Sequence, residues 1–237
     1  NYFLDIGQGD AIFLDSPTHG RMLIDGGPNR KVLSEIGKIL PFADRRIDVV
    51  METHPDKDHI GGLPEVISRY KVGMFIEPGV ESESNVDDEL LSRLEDKNIL
   101  KLLARRGMVV NFGDGVKLQI LFPLSGQDVS NWETNRASAI AKLIYGDKSF
   151  LLTGDSPIAI ENVFISMSNA GLDVDVLNGV LQGSRTSTSL EFAEATTPQY
   201  AAGCLTDPPV SDPIETGARS PATDAALPPE DPPGTRL

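Results

Sequence analysis

Two histidines and two aspartates fall within six consecutive positions of this chain. They are His54, Asp56, Asp58 and His59, and they directly follow the largely apolar segment 47–51. A strand that ends in a tight loop can aim all four side chains at one point. Neutral imidazole and ionised carboxylate are good ligands for zinc or manganese, so the spacing predicts a metal site. The competing interpretation is a helix N-terminus decorated with acids that cap free N–H groups.

Other polar residues stand in glycine-rich turns or loops. Gln8 and Asp10 lie in such a turn, where they either support a metal site or serve only as turn residues. Asp25 precedes a glycine pair, and we interpret it as a hydrogen-bond acceptor that braces its loop. Two residues that could face a substrate, or could belong to an ordinary loop, are Asn135 and Ser138.

Residues 1–200 resemble a known family through five further motifs that occur in the expected order around the signature loop. The motifs are Phe3-Leu4-Asp5-Ile6-Gly7-Gln8-Gly9-Asp10-Ala11, Leu23-Ile24-Asp25-Gly26-Gly27, Asn135-x-x-Ser138, Leu151-Leu152-Thr153-Gly154-Asp155 and Gly183-Ser184-Arg185-Thr186-Ser187-Thr188-Ser189. The family is the metallo-β-lactamase superfamily, whose signature loop reads His-x-His-x-Asp-His. Here Asp56 replaces the second histidine. That replacement and the first motif resemble the soluble metallo-hydrolase domain of ComEC-type competence proteins and their stand-alone relatives.

The resemblance implies two divalent ions, zinc or manganese, that share a water molecule. His54 and Asp56 would bind the first ion, and Asp58 and His59 the second. Asp58 would also orient the nucleophilic water, which makes it the candidate catalytic residue. Asp155 would bridge both ions, although a Gly-Asp turn is the alternative interpretation of that position. The matching position of Ser184 implies a role in substrate binding or in support of the ligands.

The chain departs from the family pattern where a His-His-Gly-Ser run is expected. At this place it carries Leu181-Gln182-Gly183-Ser184. Leucine cannot bind a metal, and a glutamine carbonyl is a poor ligand for zinc. The remaining histidine, His19, lies between Thr18 and Gly20 in what we interpret as an exposed turn. We therefore expect the activity of this site to be impaired.

The function implied by the resemblance is a metal-dependent hydrolase, of the phosphodiesterase or nuclease type. Its substrate would be single-stranded DNA during uptake, beside a membrane channel that is absent from this chain. The alternatives are a non-catalytic domain that keeps the fold, or a stand-alone hydrolase of small phosphoesters. The expected location is the outer face of the plasma membrane in the first case and the cytoplasm for a stand-alone protein. Because the chain opens on a strand-like segment, we expect a domain excised from a longer protein.

The composition limits the kinds of partner. The chain of 237 residues has a net charge of −14, which disfavours a broad nucleic-acid surface but permits capture of a phosphate at bound metals. Residues 201–237 contain eight of the 17 prolines and no aromatic residue. We predict that this tail is disordered and that the hydrolase domain spans residues 1–200.

The order of the predicted elements matches the αββα sandwich of the superfamily, an α/β fold, and the resemblance implies that its C-terminal portion is incomplete in this chain. Strands are expected over 2–6, 11–14, 22–24, 47–51, 72–76, 108–112, 116–122, 139–145, 149–152 and 174–180. Helices are expected over 29–40, 63–70, 86–94, 98–105, 158–170 and 190–196.

Overall fold

The computed structural model describes residues 2–167, 172–178 and 188–202. Its first sheet has six strands, in the same order in space as along the chain. They are β1 (Tyr2–Phe3), β2 (Ile12–Asp15), β3 (Arg21–Ile24), β4 (Arg46–Met51), β5 (Lys71–Glu77) and β6 (Leu100–Leu103). Strand β2 pairs antiparallel with both β1 and β3, whereas β3 to β6 run parallel.

The second sheet is also six-stranded and mixed. Its strands are β7 (Val109–Gly113), β8 (Val116–Phe122), β9 (Ile140–Tyr145), β10 (Lys148–Leu152), β11 (Val176–Asn178) and β12 (Tyr200–Ala202). Strands β7 to β10 form an antiparallel meander, and β11 and β12 then add in parallel to β10. The helices are α1 (Lys31–Ile39), α2 (Lys57–Ile60), α3 (Leu63–Arg69), α4 (Asn85–Asp96), α5 (Ile158–Met167) and α6 (Leu190–Thr196).

The two sheets pack face to face, and successive side chains of a strand point alternately into the space between them and to the outside. In β2, Ile12 and Leu14 pack between the sheets, whereas Phe13 points to the outer face of the first sheet. On that outer face Phe13 contacts the cluster that includes Val32 and Ile36 of α1. The outer face of the second sheet is covered by α5 and α6 through a cluster of Ile160, Phe164 and Phe192. The predicted αββα sandwich is therefore confirmed.

One predicted helix is wrong. The sequence predicts a helix over 98–105, but Leu100–Leu103 forms the edge strand β6 and pairs in parallel with β5. Asn98 adopts a left-handed conformation with φ of 51°, which stops the chain from continuing α4 as a helix. The short Leu-Lys-Leu-Leu segment fits the hydrophobic period of a helix and that of a strand. It forms a strand because β5 offers an unpaired edge.

The C-terminal part of the described chain contains one element more than the sequence analysis expected. The sequence analysis begins the proline-rich tail at residue 201, but Tyr200–Ala202 pairs in parallel with β11 as β12. The predicted domain boundary at residue 200 therefore falls on the first residue of a strand. Among the described helices, none combines the length and the apolar character needed to cross a membrane.

The parallel pairing of β3 with β4 determines where polar side chains can meet. Ile24 and Met51 are the last residues of these strands and lie opposite each other in register. The chain leaves the sheet after both residues on the same edge, so the loops that begin at Asp25 and Glu52 lie side by side. The candidate functional residues of the first half of the chain lie at this edge.

Candidate metal centre

The second sheet brings Asp155 to the loop that follows β4. The Ala139 amide donates a hydrogen bond of 2.8 Å to the Thr53 carbonyl and so joins the two sheets at this point. Gly154 has a φ of 52°, and a Cβ atom at this position would lie 3.0 Å from the Cβ of Thr53. Both the positive φ and this tight approach favour glycine, so Gly154 lets the next residue reach the histidine loop.

His54, His59 and Asp155 form a compact cluster of candidate ligands. One ligand atom from each lies within 4.8 Å of the others. The centroids of the two imidazole rings are 4.1 Å apart, and Nε2 of His59 is 3.4 Å from Oδ1 of Asp155. Both rings are fully buried, whereas the Asp155 side chain is 18% exposed. The cluster is therefore enclosed on the histidine side and reached past the carboxylate.

The unpartnered nitrogen atoms of this cluster test whether a metal fits. Nε2 of His54 and Nε2 of His59 are buried and make no well-formed hydrogen bond within the described part of the chain, although Asp56 lies 3.7 Å from the first and Asp155 3.4 Å from the second. A buried polar atom without a partner is unfavourable unless a ligand satisfies it. Two imidazole nitrogens and one carboxylate oxygen are a donor set that suits zinc or manganese. The residues present therefore fit a transition-metal ion.

The two aspartates of the signature loop differ in their placement. Asp56 is the residue before the first turn of α2, but its side chain makes no capping hydrogen bond. Its Oδ2 lies 3.7 Å from Nε2 of His54, at the edge of the cluster. Asp58 lies half-buried in α2, and its carboxylate is not part of the three-residue group. The geometry therefore disfavours the capping interpretation for Asp56 and does not bring Asp58 to the cluster.

Asp25 orients the His59 ring through its Nδ1 atom. It is buried with φ of 57°, and its Oδ2 lies 2.8 Å from Nδ1 of His59. The same carboxylate accepts hydrogen bonds from the backbone amide and the hydroxyl of Thr53, at 2.8 and 2.7 Å. The three contacts hold the ring so that Nε2 faces Asp155, as an outer partner of a metal-binding histidine does. The sequence predicts the bracing role of Asp25 but carries no signal for its contact with His59.

The glycine-rich turn at residues 7–10 packs against the same loop. A Cβ atom on Gly9 would lie 1.8 Å from the Asp58 carbonyl oxygen. Asp10 accepts a hydrogen bond of 3.3 Å from Nδ2 of the buried Asn178, which ends β11. Burial is the main reason why the pKa of Asp10 is raised, with Asp25 and Asp155 adding to it while His59 opposes it. Gln8 is an exposed residue of this turn.

Of the remaining predicted residues, Asn135 and Ser138 have buried polar atoms, and Ser184 is not described by the structure. Oδ1 of Asn135 and Oγ of Ser138 are buried and unpartnered within the described residues, and Ser138 packs near Gly154. Oγ of Ser156, which follows Asp155 directly, shares this property. Sequence reasoning missed Ser156 and Asn178, because neither residue type carries a signal of its own. Ser184, and the departure at Leu181 and Gln182, lie outside the described residues.

In the metal-free cluster, the charges around His59 favour a protonated imidazole. Burial lowers the pKa of His59, but the charges of Asp25 and Asp155 outweigh it and raise that pKa well above the usual value. Burial raises the pKa of Asp155, but its contact with His59 lowers it overall. Burial, together with the neighbouring His59 charge, lowers the pKa of His54 to about 4. At neutral pH the metal-free cluster therefore holds one neutral and one protonated imidazole.

Metal affinity is expected to rise with pH because of His59. Below the pKa of His59 an incoming ion must displace its proton, so affinity increases roughly tenfold per pH unit for one proton released. His54 is already neutral in this range and adds nothing to the slope. Competition with a chromophoric chelator across the neutral range measures the dependence, after correction for protonation of the chelator. A flat profile would show that His59 is not protonated in the metal-free protein.

Replacing Asp25 is expected to weaken metal binding without removing a ligand. Asp25→Asn keeps the side-chain volume but replaces one carboxylate oxygen by an NH2 group. This donor would face the three groups that now donate to Asp25, from Thr53 and His59, so the His59 ring loses its fixed orientation. We expect metal affinity to fall by about 10- to 100-fold, the usual cost of losing an outer partner. Asp48→Asn is the control, since Asp48 accepts from the Arg21 amide at the opposite end of β4. An equal loss of affinity in both variants would contradict the orienting role.

Comparisons with known proteins agree with this geometry. Residues 4–166 match the metallo-beta-lactamase superfamily. The chain is similar to ComE operon protein 3 of Bacillus subtilis (strain 168), with 29% identity over 220 residues. That match covers 84% of this chain and 27% of the relative, so the chain spans about a quarter of that protein's length.

Two solved structures resemble the fold. The CmlA beta-hydroxylase E377D mutant aligns with a TM-score of 0.57 at 15% identity, over 86% of this chain and 46% of its own. CmlA of Streptomyces venezuelae, described as a diiron beta-hydroxylase, aligns with a TM-score of 0.50 at 15% identity, over 82% and 44%. At this identity both show a shared fold only. Since the family match extends over most of the chain and the structure has the αββα layers with a buried His/Asp cluster, the chain belongs to the metallo-β-lactamase superfamily.

Proposed function

We propose that this chain is a metal-dependent phosphodiesterase domain that cleaves single-stranded DNA during DNA uptake. The observation that carries the proposal is the convergence of His54, His59 and Asp155 with two buried, unpartnered Nε2 atoms. The similarity to ComE operon protein 3 supports the choice of DNA uptake as the context. A membrane channel in the remainder of a longer protein is the proposed partner, which would place this domain at the outer face of the plasma membrane.

The metal ligands follow from the cluster. His54, His59 and Asp155 would hold one ion, zinc or manganese, and Asp56 is the next nearest carboxylate. A second ion, implied by the resemblance, would require Asp58 to approach the cluster. When bound, such ions activate a water molecule and polarise a phosphoester oxygen. The family's histidine pair is absent at Leu181 and Gln182, so we propose a weakly bound second ion and slow turnover.

The chain's own residues would position the substrate. Ser138 is fully buried, and its unpartnered hydroxyl can donate a hydrogen bond to a phosphate oxygen. The unpartnered Oδ1 of Asn135 can accept one from a sugar hydroxyl or a water molecule. Asp25 keeps Nε2 of His59 turned towards the reacting centre. Asp58 would orient the attacking water, as the resemblance implies.

A second candidate is a non-catalytic domain that keeps the fold and one ion. The observation in its favour is that three of the five predicted ligands converge while Asp58 does not. A hydrolase of small phosphoesters is the third possibility, and loop differences decide between such substrates within one fold.

Activity assays on metal-reloaded protein separate the candidates. A labelled single-stranded oligonucleotide and bis(p-nitrophenyl) phosphate serve as substrates, each with manganese or zinc. Cleavage of the oligonucleotide supports the proposal, and cleavage of the small ester alone supports the third candidate. If neither is cleaved, the double variant Leu181→His/Gln182→His is tested. Activity that appears only in that variant shows an impaired hydrolase, and continued inactivity supports the non-catalytic domain.

A further inference from the structure

A second cavity, of about 340 Å³, lies at the carboxyl ends of β4 and β5 beside the first turn of α4. Five acidic residues line it: Glu81 and Asp88 are exposed, and the three buried ones are Glu52, Glu77 and Asp87. These last three are at least nine-tenths buried. The basic residue of the lining is Lys101, whose Nζ lies 3.1 Å from Oε1 of Glu77. One cation therefore faces three buried acids.

Glu52 has no partner in this cavity. It is 3% exposed, and its Oε2 makes no hydrogen bond within the described residues. Burial and the Glu77 charge raise the pKa of Asp87 to about 6. Glu52 therefore has a buried carboxyl oxygen without a donor, beside two further buried acids and one lysine, and a cationic ligand with N–H donors would satisfy it.

The spacing of the carboxylates disfavours a bare metal ion. Metal–oxygen bonds of about 2.0–2.6 Å require ligand atoms close to one another. Among the described residues, the group that meets a 4.8 Å limit is the cluster of His54, His59 and Asp155, not the acids of this cavity. Carboxylates that lie further apart can bind a ligand that carries several hydrogen-bond donors at separate positions. A guanidinium or ammonium group has several N–H donors, and Lys101 already shows an ammonium bound to Glu77.

The walls of the cavity fit an aliphatic chain. Val80 is buried and Leu91 half-buried, and both line the same space. Long basic side chains bury their methylene groups on apolar surface while the charged end finds polar partners. We propose that this cavity binds an aliphatic guanidinium or ammonium group, as carried by an arginine or lysine side chain or by a free alkylamine. The site is separate from the metal cluster and does not depend on hydrolysis.

Calorimetric titration of the full chain tests the proposal. The two probes are n-butylguanidinium and the peptide acetyl-Ala-Arg-Ala-amide, with calcium and magnesium chloride as further titrants. We expect saturable binding of both organic probes, weakened about tenfold or more in Glu52→Gln, because a hydrogen bond between charged groups is lost. Tighter binding of the peptide identifies a protein side chain as the ligand, and equal or tighter binding of n-butylguanidinium identifies a free small cation.

Two further variants make the result decisive. Glu83→Gln removes the same charge from an exposed residue of the same loop that does not line the cavity, and should change affinity less than about twofold. Asp87→Asn repeats the test if Glu52→Gln does not fold. Absence of saturable binding by both organic probes would overturn the proposal. So would equal binding by Glu52→Gln and the unsubstituted chain, or binding of calcium or magnesium in place of the organic cations.

Discussion

His59→Ala is expected to abolish metal binding at the candidate centre. The substitution removes one of three converging ligands, so affinity should fall by more than the ~10–100-fold that loss of an outer partner costs. It also leaves the buried Asp25 carboxylate without its imidazole partner. Breaking a buried pair from one side costs about 3–5 kcal/mol, so the metal-free variant should also be less stable. Metal content after reloading and urea unfolding measure the two effects separately.

His19→Ala is the matched control, because His19 is the third histidine and its side chain is 76% exposed. It should bind metal as the unsubstituted chain does, with nearly unchanged stability. If His59→Ala retained full metal content, the three-residue cluster would not be the metal site. If both variants lost metal equally, binding would be nonspecific attachment to histidine.

Gly9→Ala is expected to damage both stability and metal binding. Gly9 has φ of 78°, a conformation that costs a side-chain-bearing residue about 1–2 kcal/mol. A Cβ atom there would also lie 1.8 Å from the Asp58 carbonyl oxygen, so either the turn or α2 must move. Because α2 carries His59, its movement should displace a metal ligand. We expect a loss of more than about 2 kcal/mol in the free energy of unfolding, with lower metal affinity.

Gly7→Ala distinguishes the effect of backbone strain from the effect of a steric clash. Gly7 has φ of 90°, but a Cβ atom there would meet nothing within 4 Å. It should therefore pay the conformational cost of about 1–2 kcal/mol alone and keep its metal affinity. Urea unfolding and chelator competition on both variants give the comparison. Equal effects at the two positions would show that the contact of Gly9 with Asp58 does not support the site.

Most of the fold could be predicted because its patterns are unambiguous. The residues of β2 and β3 alternate between two buried faces, and the apolar end of β4 leads directly into a polar loop. The error at Leu100–Leu103 has a physical origin, since four residues are too few to distinguish the helical period from the strand period. The strand forms because β5 offers an unpaired edge, which is information about the partner and not about the segment itself.

The candidate site could be predicted only in part. His54 and His59 are close in sequence, so local spacing alone predicts that both belong to one metal site, although the family resemblance assigns them to different ions of it. Asp155 is about a hundred residues away and was reached through the family resemblance. Asn178 binds Asp10 across the two sheets, a contact that depends on the packing of the sheets and leaves no trace in either local segment. Glu52 precedes the signature loop, yet its burial in a second cavity follows from the position of α4.

The most direct measurement is an anomalous-scattering map from crystals of the full chain loaded with zinc or manganese. The account predicts a peak at roughly 2.0–2.2 Å from Nε2 of His54, Nε2 of His59 and a carboxylate oxygen of Asp155. A fully loaded crystal with no peak between these three residues, or with peaks only at exposed residues such as His19, would contradict the assignment of the metal centre.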